Sequence, residues 1–192
     1  MIKGKKHVIE TWDIPIFTKN KPNENFCLVS GTFNPPHLGH FKFFKKVLRK
    51  YPKNWLIISP HNLSETKQQP VVPLEIRREW LRNVVLEKFP DDLRRIVLNV
   101  SNDCEGNNIE KAQEKFTKIL ESPNIIRLRG DRESILPKSS YEIVLRDGKY
   151  SSSIIRELLK NGNFEDVKNL VPQIVFKSII DNKFYFENPA KF

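Results

Sequence analysis

Short apolar runs alternate with longer amphipathic segments along most of this chain. The apolar runs have the length of buried strands, and they are residues 26–30, 55–59, 96–100, 124–128 and 141–145. The amphipathic segments have helical periodicity, and they are residues 38–50, 74–88, 108–121, 152–161 and 172–181. Strands that alternate with helices predict a mostly parallel sheet covered on both faces, which is a Rossmann-like, doubly wound α/β fold.

The chain length of 192 residues suits a single domain with one core. We expect residues 25–185 to form that domain, preceded by residues 1–24 as an extension with little regular structure and followed by residues 186–192 as a tail. The extension mixes lysines with prolines. Its apolar side chains that could pack onto the domain are Trp12, Ile14 and Phe17.

Three features of the sequence bear on the cellular compartment. No run of 18 apolar residues occurs, so no transmembrane helix is expected. The basic N-terminus is not followed by an apolar segment, which argues against a secretory signal. The two cysteines, Cys27 and Cys104, resemble neither a disulfide framework nor a metal cluster. Together these features favour a reducing, cytoplasmic compartment.

The formal net charge of +10 favours anionic partners such as nucleotides. Residues 42–53 carry cations with no acid between them; these are Lys42, Lys45, Lys46, Arg49, Lys50 and Lys53. On a helix these side chains cluster on one side, which we interpret as a solvated face opposite an apolar face that packs on the sheet. Nucleic acid is not expected as the main partner, because no nucleic-acid-binding motif accompanies the charge.

The stretch from Ser30 to His40 connects the first apolar run to the first amphipathic helix and includes the first residues of that helix. The order is therefore strand, glycine turn and helix. The start of such a helix presents free backbone N–H groups and a positive dipole end, which together bind anions. His37 and His40 are three residues apart and fall on one face of the first turn. We expect a phosphate site with two histidine donors.

Three motifs in this sequence resemble those of one enzyme family. Residues 31–40, Gly-Thr-Phe-Asn-Pro-Pro-His-Leu-Gly-His, resemble the signature of the nucleotidyltransferase superfamily with the His-x-Gly-His motif. Residues 150–156, Tyr-Ser-Ser-Ser-Ile-Ile-Arg, are similar to the family's Ile-Ser-Ser-Thr-x-Ile-Arg motif, and residues 170–185 to its Val-Pro-x-x-Val ending. The closest resemblance is to the nicotinate/nicotinamide mononucleotide adenylyltransferases, over residues 26–181. We expect the ending to pack a helix and to add no chemistry.

The resemblance implies transfer of AMP from ATP to a pyridine mononucleotide, with release of pyrophosphate. It implies catalytic roles for His37, His40 and Thr32. It implies ATP contacts from Gly31, Thr32, Phe33, His37, Gly39, His40, Gly130, Asp131, Ser152, Ser153 and Arg156. Mg²⁺ would bridge the triphosphate and need few protein ligands, so no metal site is expected in the protein itself. Gly39 would allow a base or ribose to approach the helix closely.

A further region bears on the acceptor. The family has a Pro-His-Lys loop followed by an Arg-containing helix where this chain has residues 60–67 and then Arg77. Asn62 stands where lysine is usual, which leaves Lys67 as a substitute. The candidate substrate contacts are Asn34, Lys67, Arg77 and Trp80. For Arg77 the sequence leaves open a surface charge on the helix and a phosphate contact.

Other functions remain open at this stage. Arg129-Gly130-Asp131 stands where the mononucleotide family has Gly-Ala-Asp, and with Ser151–Ser153 it resembles the pantetheine-phosphate branch of the superfamily. A pantetheine phosphate or cytidylyl acceptor is therefore one alternative. An alternative of another class is a non-catalytic basic module that binds nucleic acid or a regulatory nucleotide. A homo-oligomer is compatible with either.

Overall fold

The computed structural model describes residues 7–61, 72–101, 124–129, 142–143 and 150–186. The predictions for Lys67, Gly130, Asp131, Cys104, the helix at 108–121 and residues 187–192 lie outside these residues.

The described strands form one sheet in the order β1-β4-β3-β2-β5-β6, and every neighbouring pair is parallel. The strands are β1 (Ile9–Thr11), β2 (Phe26–Gly31), β3 (Trp55–Pro60), β4 (Ile96–Asn99), β5 (Ile125–Arg129) and β6 (Glu142–Ile143). The helices are α1 (Ile14–Lys19), α2 (Leu38–Lys50), α3 (Leu74–Lys88), α4 (Ser152–Lys160), α5 (Phe164–Lys168) and α6 (Gln173–Asp181). The predicted parallel α/β fold is confirmed.

Alternate residues of the strands enter two apolar clusters, as the two-residue period of a strand requires. Cys27 and Val29 of β2 belong to the larger cluster, which α2, α3, α4 and α6 complete. Phe26 and Leu28 belong to a smaller cluster on the opposite face, and Ile14 of α1 joins them there. Both faces of the sheet are therefore covered by helices.

The amphipathic segment at 38–50 folds as α2 with the predicted bounds. The buried apolar side chains of α2 are Phe41, Phe43, Phe44, Val47 and Leu48. The cations from Lys42 to Lys53 are exposed, as predicted. Among the described residues, no helix has the length and apolar character needed to cross a membrane.

The expectation of little regular structure before residue 25 is wrong for residues 9–11 and 14–19. Strand β1 pairs with β4 at the edge of the sheet, and Asp13 caps α1 by accepting a hydrogen bond from the Ile16 amide at 2.9 Å. Ile14 is buried, and the Phe17 ring lies 6.1 Å from that of Phe26. Trp12, in contrast, does not pack onto the domain, since 66% of it is exposed.

Candidate active site

The loops that follow β2 and β3 begin side by side, because Gly31 pairs with Pro60 in the sheet. The His61 amide donates to the Gly31 carbonyl at 3.1 Å. These two adjacent loops lie at the carboxyl ends of parallel strands, which is where ligands bind in open α/β sheets.

Arg77 of α3 ties these loops together. Its side chain has no exposed surface. Its Nε donates to the Val72 carbonyl at 2.8 Å, and one terminal nitrogen donates to the carbonyls of Thr32 and, at 3.1 Å, His61. The rigid fork of a guanidinium can satisfy several buried carbonyls at once, so Arg77 braces the loop after β2 against the loop after β3.

Phe33 shapes the turn between β2 and α2. Its φ of +46° lies in the left-handed region, which is costly for a residue other than glycine. The ring is buried and lies edge-on to His40, with 4.9 Å between ring centroids. A Cβ on Gly31 would lie 3.3 Å from the same ring, so a small residue suits that position. The buried ring of Phe33 therefore packs against the imidazole of His40.

The two histidines of the motif form a stacked pair at the N-terminus of α2. Their ring centroids are 3.7 Å apart and their planes differ by 23°. The backbone amide of His37 donates to Nδ1 of His40 at 3.1 Å. Because Nδ1 accepts, a neutral His40 carries its proton on Nε2, which makes Nε2 a hydrogen-bond donor. The predicted placement of both imidazoles on one face of the first turn is confirmed.

Tyr150 completes this cluster from the other motif. Its ring lies 6.2 Å from that of His37 at 15°, and the Nζ of Lys42 lies 4.8 Å above it. A Cβ on Gly39 would lie 2.5 Å from the Cβ of Tyr150. Gly39 therefore admits Tyr150 to the surface of α2. Tyr150 was not among the predicted site residues, although its place directly before Ser151 was a signal for it.

The serine motif at the start of α4 docks onto the loop before α2. Ser152 Oγ donates to the Pro35 carbonyl at 3.0 Å, across 117 residues of chain. Arg156 donates to the Asn34 carbonyl at 2.6 Å and to Ser153 Oγ at 3.1 Å. These bonds bring the two motifs that the resemblance assigns to ATP, and with them the N-termini of α2 and α4, to the same loop.

Asn34 is held at a second point by the C-terminal segment. The hydroxyl of Tyr185, four residues after α6, donates to Asn34 Oδ1. Burial raises the pKa of Tyr185, while the nearby Arg156 and Arg77 act against that shift. The tyrosine is therefore a neutral donor. The ending forms helix α6, as expected, and its Tyr185 also contacts a candidate substrate residue.

A family model described as cytidylyltransferase-like matches residues 28–158. The chain belongs to this family. Its matched region begins in β2 and ends in α4, so it contains both motifs that meet in the structure.

Curated relatives within this cytidylyltransferase-like family agree with the resemblance in the sequence. The chain is 30% identical over 166 residues to "Nicotinamide-nucleotide adenylyltransferase" of Saccharolobus solfataricus, covering 81% of this chain and 90% of the relative. It is 26% identical over 161 residues to the protein of the same name from Pyrobaculum arsenaticum, covering 79% and 85%. The resemblance to the mononucleotide adenylyltransferases is thus confirmed.

Solved structures share the fold. Nicotinic acid mononucleotide adenylyltransferase of Plasmodium falciparum complexed with NaAD superposes with a TM-score of 0.60 at 14% identity, covering 85% of this chain and 98% of that one. The same protein complexed with APC gives 0.56 at 15% identity, with the same coverage.

Two candidate substrate residues of this cytidylyltransferase-like chain, Arg77 and Trp80, are buried in the structure. Arg77 is not a charge on the helix surface, since its guanidinium is enclosed by backbone carbonyls. Trp80 is not at a substrate-facing surface either. Only 2% of it is exposed, and its ring packs edge-on against Phe184 at 6.0 Å. Both side chains lie on the buried face of α3, together with Leu81, Val84 and Val85.

The charge of the site favours an anion. The helix N-termini of α2 and α4 carry partial positive charge, and the buried Arg156 adds a full positive charge beside them.

Burial, and then the charge of Arg77, lower the pKa of His61 to about 4, so this histidine is neutral near pH 7. Within the described ranges, no three His, Cys, Asp or Glu side chains are grouped as metal ligands.

Proposed function

We propose that the protein transfers AMP from ATP to nicotinate or nicotinamide mononucleotide, forming the dinucleotide and releasing pyrophosphate, a step of NAD biosynthesis. The observation that carries the proposal is the docking of the serine motif of α4 onto the loop that precedes the histidine pair of α2. The acceptor class comes from the names of the curated relatives. We place the reaction in the cytoplasm on the grounds of cysteine content.

The chemistry needs positioning more than proton transfer. An oxygen of the mononucleotide phosphate attacks the α-phosphorus of ATP, the new P–O bond forms, and the bond to the β-phosphate oxygen breaks. The attacking phosphate is already an anionic nucleophile, so no general base is needed. Orientation of the two substrates and stabilisation of charge on the α-phosphoryl oxygens account for the rate, as in other phosphoryl transfers.

The histidine pair and the start of α2 serve the transferred phosphate in this proposal. His40 donates from Nε2, because its Nδ1 is occupied by the amide of His37. His37 donates beside it, while Thr32 and the backbone of Gly31 and Phe33 orient the attacking and transferred phosphates. Gly39, which has no side chain, lets Tyr150 pack directly on the first turn of α2 beside His37.

The start of α4 binds the leaving pyrophosphate in this proposal. Ser152, Ser153 and Arg156 hold the β- and γ-phosphates, with the amides of the first turn as further donors. Mg²⁺ enters with ATP as part of the substrate and bridges the triphosphate oxygens. Contacts of Gly130 and Asp131 with ATP, and of Asn34 and Lys67 with the mononucleotide, remain predictions.

The test is pyrophosphate release with MgATP and three separate acceptors: nicotinate mononucleotide, nicotinamide mononucleotide and phosphopantetheine. CTP replaces ATP in a parallel series. Release with either pyridine nucleotide supports the proposal and ranks the two. Release with phosphopantetheine alone would transfer the protein to the coenzyme A branch, which Arg129-Gly130-Asp131 resembles. No release, together with nucleic-acid binding that weakens steeply with salt, would favour the basic binding module.

A further inference from the structure

Asn34 is fixed at both its backbone and its side chain. Its carbonyl accepts a hydrogen bond from Arg156 at 2.6 Å, and its Oδ1 accepts one from the Tyr185 hydroxyl. Asn34 and Tyr185 are 5% and 9% exposed, so water competes little for either bond. These two bonds hold the Asn34 side chain, which lies in the loop before α2, in one orientation.

The bond from Tyr185 determines whether the oxygen or the nitrogen of the Asn34 carboxamide is available to a ligand. A carboxamide has an accepting oxygen and a donating nitrogen, and rotation by half a turn exchanges them. Arg156 and Arg77 lie close enough to Tyr185 to favour a negative charge on its oxygen. The hydroxyl proton, which these cations repel, is donated to Oδ1 of Asn34. The amide nitrogen of Asn34 then becomes the group available to a ligand.

The backbone around Tyr185 is built to place this ring. Tyr185 has a φ of +71°, and Lys183 has a φ of +53°. Such conformations are costly for residues other than glycine and persist where the surroundings determine them. Phe184, between them, packs edge-on against Trp80 and donates its amide to the Ile179 carbonyl at 3.1 Å. The turn after α6 is thus anchored in the core, with Tyr185 directed at Asn34.

We propose that Tyr185 is a positioning residue for the adenylyl transfer, holding the Asn34 carboxamide so that its N–H groups face the acceptor phosphate. This inference rests on the proposed function. Phosphate oxygens only accept hydrogen bonds, so the nitrogen of Asn34 binds them while its oxygen would repel them. In a variant without the hydroxyl, the carboxamide is free to turn its oxygen toward the phosphate.

The first test is Tyr185→Phe, which removes the hydroxyl and keeps the ring. We expect kcat/KM to fall about 3- to 10-fold, on the scale of one hydrogen bond. The KM for the mononucleotide should rise more than the KM for ATP. Tyr51→Phe, at the end of α2, is the matched control and should leave both KM values unchanged. Wild-type kinetics in Tyr185→Phe would overturn the inference.

A double-mutant cycle separates positioning from general support of the fold. In an Asn34→Ala background, Tyr185→Phe should cause no further loss of kcat/KM, because the carboxamide that it orients is gone. An equal loss in both backgrounds would show that Tyr185 acts elsewhere. Asn34→Ser, which also lacks the carboxamide, replaces Asn34→Ala if the latter does not fold.

A readout independent of activity is the ¹H–¹⁵N signal pair of the Asn34 side-chain amide, assigned by its absence in Asn34→Asp. We expect this pair to shift in Tyr185→Phe and to stay in place in Tyr51→Phe. An unchanged pair would overturn the orienting role. Absence of pyrophosphate release in the wild type would instead contradict the proposed function, while the signal pair would still report on the orientation.

Discussion

Gly39 sets the distance between the two halves of the candidate site. A methyl group in Gly39→Ala would lie 2.5 Å from the Cβ of Tyr150, so the start of α4 must move away from α2. We expect kcat/KM to fall about 10²-fold, the scale of a displacement near 1 Å, and unfolding free energy to fall about 1–3 kcal/mol.

The matched control for this change is Gly162→Ala. Gly162 has a φ of +75° with no atom within 4 Å of a Cβ, so the substitution strains only the backbone. Stability should drop by about 1 kcal/mol while pyrophosphate release stays at the wild-type rate. Equal activity losses in both glycine variants would show that stability alone, and not the fit of Tyr150, explains the effect of Gly39→Ala.

His40 is the residue on which the proposed chemistry depends most directly. The His40→Ala variant loses a donor aimed at the transferred phosphate, and we expect kcat to fall about 10²–10³-fold. Steady-state pyrophosphate release measures this loss. His7→Ala removes an exposed imidazole before β1 and should turn over like the wild type. Wild-type turnover by His40→Ala would remove His40 from the mechanism.

At the scale of elements, α3 holds the loops after β2 and β3 together through Arg77. Arg77→Leu leaves the buried carbonyl of Val72 and the partly buried carbonyls of Thr32 and His61 without the Arg77 donor. We expect the unfolding free energy, measured by denaturant titration, to fall by about 2–4 kcal/mol.

Arg82 provides the control on the same helix. It forms an ion pair with Glu10 at 2.5 Å, and its side chain is 35% exposed. Because exposed ion pairs contribute little, Arg82→Leu should cost at most about 1 kcal/mol. Equal unfolding free energies for Arg77→Leu and Arg82→Leu would show that the hydrogen bonds of Arg77 do not stabilise the fold.

The loop after β3 should also make the protein sensitive to acid. The pKa of His61 is lowered from 6.5 to about 4 in the folded protein, so the unfolded chain binds more protons between these values. The unfolding free energy is therefore highest above about pH 6.5 and falls as the pH drops toward 4. This loss of unfolding free energy is about 3 kcal/mol. Denaturant unfolding of His61→Gln should show a correspondingly flatter pH dependence, and an unchanged slope would contradict this account.

At the scale of the whole molecule, the segment before residue 25 is part of the domain's structure. Ile14 is 2% exposed and packs with Phe26, Leu28, Ile57 and Val97 under the sheet. Ile14→Ala should therefore lower the unfolding free energy by about 2–4 kcal/mol.

Ile16, two residues further along the same helix, is the control. It is 59% exposed, so Ile16→Ala should change stability by about 0.5 kcal/mol or less. A loss for Ile14→Ala no larger than that for Ile16→Ala would show that the N-terminal segment does not stabilise the domain.

Local patterns in the sequence were sufficient for the central elements. The period of the apolar residues located α2 and α3 with their observed bounds, because a helix of more than ten residues repeats its apolar face several times. Strand β1, with three residues, is too short for any period to appear. The spacing of His37 and His40 likewise predicted their shared face, since one turn of helix imposes it.

Long-range contacts decided what the sequence pattern could not. Arginine is rarely buried, and Arg77 is enclosed because carbonyls of the loops after β2 and β3 reach it. Tyr185 joins the site across 151 residues of chain, through a turn that no periodicity encodes. By itself the sequence determined the parallel α/β fold and the two motifs, since both arise from local order. The tertiary structure alone decided which side chains brace the loops and orient Asn34, because those roles depend on neighbours far along the chain.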